Sequence, residues 1–253
     1  MWTREQLKTR AKGVLRTSYW KAFLASLLLA VVSGGLPSCN YNTGTGSRRD
    51  WNPFASDEFG GGIDFEWNGI VAAIIAIILL VGIVIFLAAI VFTILVRFPL
   101  EVGVMQYFKQ SALDDVNLNY LGYSFGKGKY VPIVKGMFYT RLLNFLWYLL
   151  LFIPGIVKSY AYSMVPYILA DNPGIGSKRA VELSNRMTRA QKWEMFVLDL
   201  SFIGWYLLGT LALLVGVLFV LPYTNATKAE LYLVLRQQAL EEGICSREEL
   251  NLI

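Results

Sequence analysis

This sequence predicts an all-α fold: a polytopic membrane helical bundle of about six transmembrane helices plus two basic amphipathic interfacial helices. Three observations predict it. Hydrophobic residues make up 55% of the 253, with a mean hydropathy of +0.48, more apolar side chain than one soluble core can hide. Residues 70–96 form a nearly unbroken apolar run, roughly 40 Å long as a helix against a hydrocarbon core of about 30 Å. Residues 147–173 read as two apolar helices that meet at Pro154 and Gly155 without room for a polar loop, a membrane hairpin.

Composition also excludes. The net charge of +5 comes from Lys and Arg that flank apolar runs, so the expected partners are the lipid bilayer and its anionic inner-leaflet lipids, and not nucleic acid. Histidine is absent, which removes the commonest general base and metal ligand. Cys39 and Cys245 lie too far apart in sequence to indicate a disulfide framework or a zinc site. No metal, cofactor or catalytic residue is expected.

The chain opens with a capping-box pattern, Thr3 and Gln6, and a hydrophobic staple, Trp2 and Leu7. Over residues 3–18, Leu7, Ala11, Val14 and Leu15 share one face while Arg4, Lys8, Lys12 and Arg16 take the other, as in a basic helix lying in the headgroup plane. Tyr19 and Trp20 mark an interface, and residues 22–36 supply the first span. The long basic helix and Pro37 argue against signal cleavage before Cys39. Residues 37–68 form a polar loop with aromatic anchors and five acidic residues against Arg48 and Arg49, which puts it outside by the positive-inside rule. Its acidic residues lack the spacing and central glycine of a calcium loop.

The second span, 70–96, stops at Arg97 on the inside, where Pro99 restarts or kinks a helix carrying Leu100, Val104, Tyr107 and Phe108. Residues 97–130 form the main inner segment. Its GKGK does not fit a phosphate loop, which needs four residues between the first glycine and the Gly-Lys, then Ser or Thr. Residues 131–153 and 156–170 make spans three and four, and 171–192 return inside. There, with Ser177 as N-cap, Ala180, Leu183, Met187 and Ala190 form an apolar stripe opposite Lys178, Arg179, Glu182, Arg186 and Arg189, a second interfacial helix. Spans five and six, 196–214 and 217–235, turn at Gly216, and Pro222-Tyr223 echoes Pro166-Tyr167 as a weak internal repeat. The organisation is an interfacial helix at 1–21, a membrane domain at 22–235 and a short soluble tail at 236–253. Six crossings put both termini in the cytoplasm with about eighteen of the 23 Lys and Arg inside.

The ordered motifs FIPGIVKSYAYSMVPYILADNP, LDLSFIGW at 198–205, and Pro222-Tyr223 followed by Tyr232 resemble the family catalogued as domain of unknown function 975. The likeness runs over nearly the whole chain outside the 39–68 loop. It implies a six-helix bacterial plasma-membrane protein and carries no activity, substrate or catalytic residue.

Charges inside spans are costly and normally face protein or a water-filled cavity. The candidates are Arg141 and Asn144 in span three, Asp199 in span five, and Lys228 and Glu230 in span six. Rise per residue sets Arg141, Asp199 and Glu230 at similar inner-leaflet depth, either as an ion-paired glue between helices or as a polar intramembrane site. The first favours a non-catalytic envelope scaffold or accessory protein, the second a lipid or small-solute transporter. An intramembrane enzyme would need a nucleophile with a base at one depth, for which only Ser201 near Asp199 offers itself.

Overall fold

A computed structural model of the protein describes residues 2–33, 67–211 and 215–252. Among them the chain is helical and without strands: α1 (Arg4–Val32), α2 (Trp67–Phe92), α3 (Phe98–Ser111), α4 (Tyr130–Leu150), α5 (Phe152–Ala161), α6 (Val165–Asp171), α7 (Ser177–Met187), α8 (Lys192–Leu211) and α9 (Val215–Glu241). A π-helical turn (Thr93–Arg97) precedes α3 and a 3-10 segment (Leu118–Phe125) follows it. The chain divides into two compact units, Met1–Leu36 with Phe92–Ile253, and Pro37–Val91. In the second, every side chain of α2 from Val71 to Val91 is exposed. Cys39 and nearly all of the expected outer loop lie outside the described residues. Two stretches, Arg4–Val32 and Val71–Ser111, have the length and apolarity to cross a membrane.

In the first unit α1 starts as its residues dictate. The Thr3 hydroxyl accepts from the Gln6 amide, and the Gln6 side chain accepts from the Thr3 amide, a closed cap worth about 1 kcal/mol. The expected interfacial helix and first apolar segment are two halves of this one helix, divided by a kink at Ser18 (φ −131°, ψ 20°). Leu7, Ala11 and Leu15 are buried, but against protein: α1 packs along α9. The Trp2 indole donates to Gln191, whose amide donates to Gln238 at 2.7 Å. The basic face of α1 is what stays exposed.

The same correction applies to α7. Ala180, Leu183 and Met187 are buried as one stripe, facing α4 and α6 in place of lipid, while Ala190 is exposed beyond the helix end. Its N-cap is Gly176, at φ 86°, and Ser177 is the first helical residue. A left-handed conformation there suits glycine, which has no Cβ to clash.

The α4–α5 break falls at Leu151 (φ −157°, ψ 138°), not at Pro154 and Gly155. Both sit in the first turn of α5, where a missing proline N–H loses no helical hydrogen bond. Gly155 is required sterically: a Cβ would come within 2.5 Å of the Tyr148 ring. The expected fourth span is not one helix. α5 and α6, of 10 and 7 residues, are separated at Tyr162–Met164, and each is far shorter than the ~30 Å of hydrocarbon. Pro166 starts α6, whereas Pro222 lies inside the continuous α9, so the Pro-Tyr pairs are not structurally equivalent. Gly216 is the second residue of α9, next to a connection outside the described residues. A Cβ on it would stand 2.6 Å from the Gly209 Cα, so α8 and α9 touch backbone to backbone through two small residues.

The expected soluble tail is also packed. α9 continues to Glu241, and the chain beyond folds back with Cys245 and Leu250 buried. Arg179 grips Glu249 with Nε to Oε1 at 2.5 Å and Nη2 to Oε2 at 3.1 Å, and the Asn172 amide donates to the Glu249 carbonyl at 2.9 Å. The hydrogen bond from Arg179 is the main reason the Glu249 carboxyl is held below the usual carboxylate range. A depressed folded-state value means the stabilisation is complete above the ordinary glutamate pKa of about 4.3 and is lost as pH falls through the depressed value. Backbone hydrogen exchange at Leu250, corrected for its intrinsic pH dependence, should therefore be slow at neutral pH and accelerate below about pH 4. Arg179→Ala should give the fast rate at neutral pH as well. Protection of Leu250 that is flat with pH and unchanged in the variant would contradict the latch.

Candidate functional site

α3, α4, α5, α6, α8 and α9 leave a cavity of about 260 Å³ between them, and four of the five polar residues singled out in the sequence line it: Arg141, Asn144, Asp199 and Lys228. Arg141 does not meet Asp199. Its Nη2 donates to both carboxylate oxygens of Glu101, at 2.7 and 2.9 Å, and Asp199 is taken by the Lys228 ammonium at 3.2 Å. Two ion pairs from two helix pairs, α3 with α4 and α8 with α9, thus share one cavity. Glu101 was passed over in the sequence because, two residues after Pro99, it reads as part of a cytoplasmic extension. Glu230 is elsewhere: it is buried beside a different cavity, of about 600 Å³, with Arg10 and Asp114.

The cavity walls carry unused hydrogen-bonding capacity. The Asn144 side-chain carbonyl and the Tyr167 hydroxyl are buried without a partner, and both residues line it. Buried polar atoms are nearly always satisfied, so each such orphan marks a place where a water or ligand group belongs. Ser159 and Ser163 offer less, because their hydroxyls donate to the carbonyls of Ile156 and Tyr160, both at 2.7 Å. With two cations and two carboxylates on its wall, the cavity can receive both signs of charge at once.

Ser201 does not use Asp199 as a base. Its hydroxyl donates to the Leu198 carbonyl at 2.5 Å and accepts from the Lys8 ammonium at 2.8 Å, which leaves its proton committed to the backbone. Among the described residues no group of three or more His, Cys, Asp or Glu is placed to hold a metal.

A family model matches residues 62–239, which contain every residue lining this cavity. The chain belongs to the family described as protein of unknown function (DUF975). No curated protein and no solved structure matches it.

This DUF975 chain has a second polar centre that the sequence reading missed. Asp171, the last residue of α6, lies at a junction of three helices, where it accepts from Lys109 of α3 and from Tyr232 and Arg236 of α9. The Lys109 and Asp171 side chains are each 3% exposed. Tyr167 stacks on Tyr232 with centroids 5.0 Å apart, so one face of this centre continues into the cavity wall. In sequence Asp171 looks like a helix-ending residue before Asn172-Pro173, and Lys109 and Arg236 look like headgroup anchors. The faint signal was that Tyr167, Asp171 and Tyr232 all fall in the motifs that carry the family resemblance.

Proposed function

We propose that the protein is a non-catalytic integral protein of a bacterial plasma membrane that binds a small zwitterionic solute or lipid headgroup in the cavity bounded by Glu101, Arg141, Asp199 and Lys228, as a carrier does. The carrying observation is that both ion pairs face one cavity that also holds the unpartnered Asn144 carbonyl and Tyr167 hydroxyl. Charges kept in an apolar bundle normally serve a pathway or a packed contact, and a contact alone would leave no unsatisfied acceptor. Lipid contact is supported by the two span-length stretches and by exposed Phe145, Leu149, Leu207 and Leu208 on α4 and α8. The exposed Arg4, Arg10, Lys12 and Arg16 of α1 suit anionic inner-leaflet lipid. Cytoplasmic termini accord with the positive-inside rule, and any even number of crossings preserves that sidedness.

A scaffold is the second reading, favoured by the closure of each cation onto its own carboxylate across a helix pair. Calorimetric titration of the full chain in nanodiscs with phosphoethanolamine separates the two. The carrier reading expects binding that weakens about ten- to a hundredfold in Arg141→Gln and Asp199→Asn, the loss of one charge-assisted hydrogen bond, with melting close to wild type. Absent binding, together with destabilised single variants that Glu101→Leu/Arg141→Met rescues, would establish the scaffold.

A further inference from the structure

The turn between α4 and α5 is a continuous apolar exposed surface. Leu149, Leu150, Leu151, Phe152 and Ile153 follow one another without a polar side chain, each between 61% and 75% exposed. A loop in water or among headgroups would carry polar or turn-forming residues instead. Its backbone is economical too. The break is a single residue, the Leu151 amide donates back to the Trp147 carbonyl at 3.1 Å, the Gly155 amide donates to the Leu151 carbonyl at 3.1 Å, and Pro154 removes one of the donors that a helix start leaves unpaired.

Polar residues bracket this tip closely. Arg141 precedes Leu151 by ten residues and Lys158 follows it by seven, about 15 and 10 Å of helix, at most half of a ~30 Å hydrocarbon core. The Lys158 ammonium lies 4.8 Å from the Trp147 ring centroid, with Tyr160 following on α5 and Tyr162 just past its end, an aromatic and basic girdle of the kind found at a membrane interface. If α4 and α5 crossed the bilayer, that girdle would sit at the outer interface and push the five apolar residues into water, with Arg141 near the middle of the hydrocarbon. Below the girdle one face of α4 meets protein through Ile133, Gly136, Met137 and Thr140, while Phe138, Leu142 and Phe145 stay exposed, and all of α6 is buried.

We infer that the α4–α5 hairpin is re-entrant: its tip, Leu149 to Ile153, dips from the cytoplasmic side into the hydrocarbon of one leaflet and returns without crossing. The occupant of the exposed tip is acyl chain. The inference goes beyond the carrier reading and does not rest on it, since it concerns a surface that ligand binding leaves untouched.

The test uses the full chain with Cys39→Ser and Cys245→Ser, carrying Leu150→Cys, Phe152→Cys or Lys158→Cys singly, each checked for the parent's elution profile. An impermeant maleimide should label Lys158→Cys in inverted membrane vesicles and not in intact spheroplasts, and should label the two tip positions in neither. Nitroxides at the tip should be relaxed strongly by oxygen and weakly by a polar nickel chelate, at a depth about 10–15 Å below the phosphates. Labelling of Lys158→Cys in intact spheroplasts would show that the hairpin crosses. Tip nitroxides shielded from both oxygen and nickel would show that protein, such as a second copy of the chain, covers the tip. Either result overturns the inference. If one tip variant fails the elution check, Ile153→Cys takes its place.

Discussion

Asp171→Ala is expected to cost about 3–5 kcal/mol of stability, the largest charge-removal effect among the described residues. The reason is what it leaves behind. Lys109, whose side chain is 3% exposed, would be left with no carboxylate within reach, Arg236 would lose its partner at 3.2 Å, and the Tyr232 hydroxyl would have no acceptor. Bringing a charge out of water costs several kcal/mol unless it is paired and hydrogen-bonded. By the same physics the triple replacement Lys109→Met, Asp171→Leu, Arg236→Met should recover much of the loss, because no charge remains to be desolvated alone. Arg141→Ala makes the contrast: its side chain is 50% exposed, so the loss should stay near the ~1 kcal/mol of a surface pair. Denaturant titration of the full chain in detergent, followed by tryptophan fluorescence, measures all three. An Asp171→Ala protein as stable as Arg141→Ala would mean that Asp171 is not the hub of its helix junction.

These two residues also show how far the sequence could be read. Counting rise along each helix sets Arg141, Asp199 and Glu230 at one depth, because depth follows position from a helix end; Arg141 and Asp199 share a cavity wall with Asn144 and Lys228, and Glu230 lines another. Which carboxylate faces which cation depends on the rotation of each helix about its axis, and that is settled by packing among α3, α4, α8 and α9. Hence Arg141 is held by Glu101, and by neither Asp199 nor Glu230, and Glu230 faces a different cavity from the residues counted at its depth. The helical class and the start of α1 were legible because composition and capping are local signals. The Asp171 junction was not, since it joins residues more than sixty positions apart that each have an ordinary local explanation. The apolar stripes on α1 and α7 are expected to face lipid, whereas Leu7, Ala11, Leu15, Ala180, Leu183 and Met187 are buried in protein, because periodicity cannot distinguish lipid from protein as the apolar partner.

Gly103→Ala should be the most damaging Gly→Ala change among the described residues, at about 3 kcal/mol, the upper range for overpacking. Gly103 lies buried on α3, where an added Cβ would stand 2.3 Å from the Leu121 carbonyl oxygen and 3.1 Å from its carbon. Both obstacles are backbone, so no side-chain rotation relieves them. The 3-10 segment Leu118–Phe125 would have to lift from α3, against which it packs. That movement would carry Ser124, which is fully buried, and Tyr123, which shares a cavity wall with Lys109 and Asp171, so the strain reaches the charged junction. Gly13→Ala on the exposed side of α1 gives the opposite sign. Nothing lies within 4 Å of its added Cβ, and alanine loses less conformational freedom than glycine in a helix, which favours the variant by roughly 0.5–1 kcal/mol. The pair is a test of backbone contact and not of helix propensity, since both sites are helical and propensity alone would stabilise both. If Gly103→Ala melts at or above wild type, α3 and the 3-10 segment are farther apart than a Cβ requires, and their close approach is refuted.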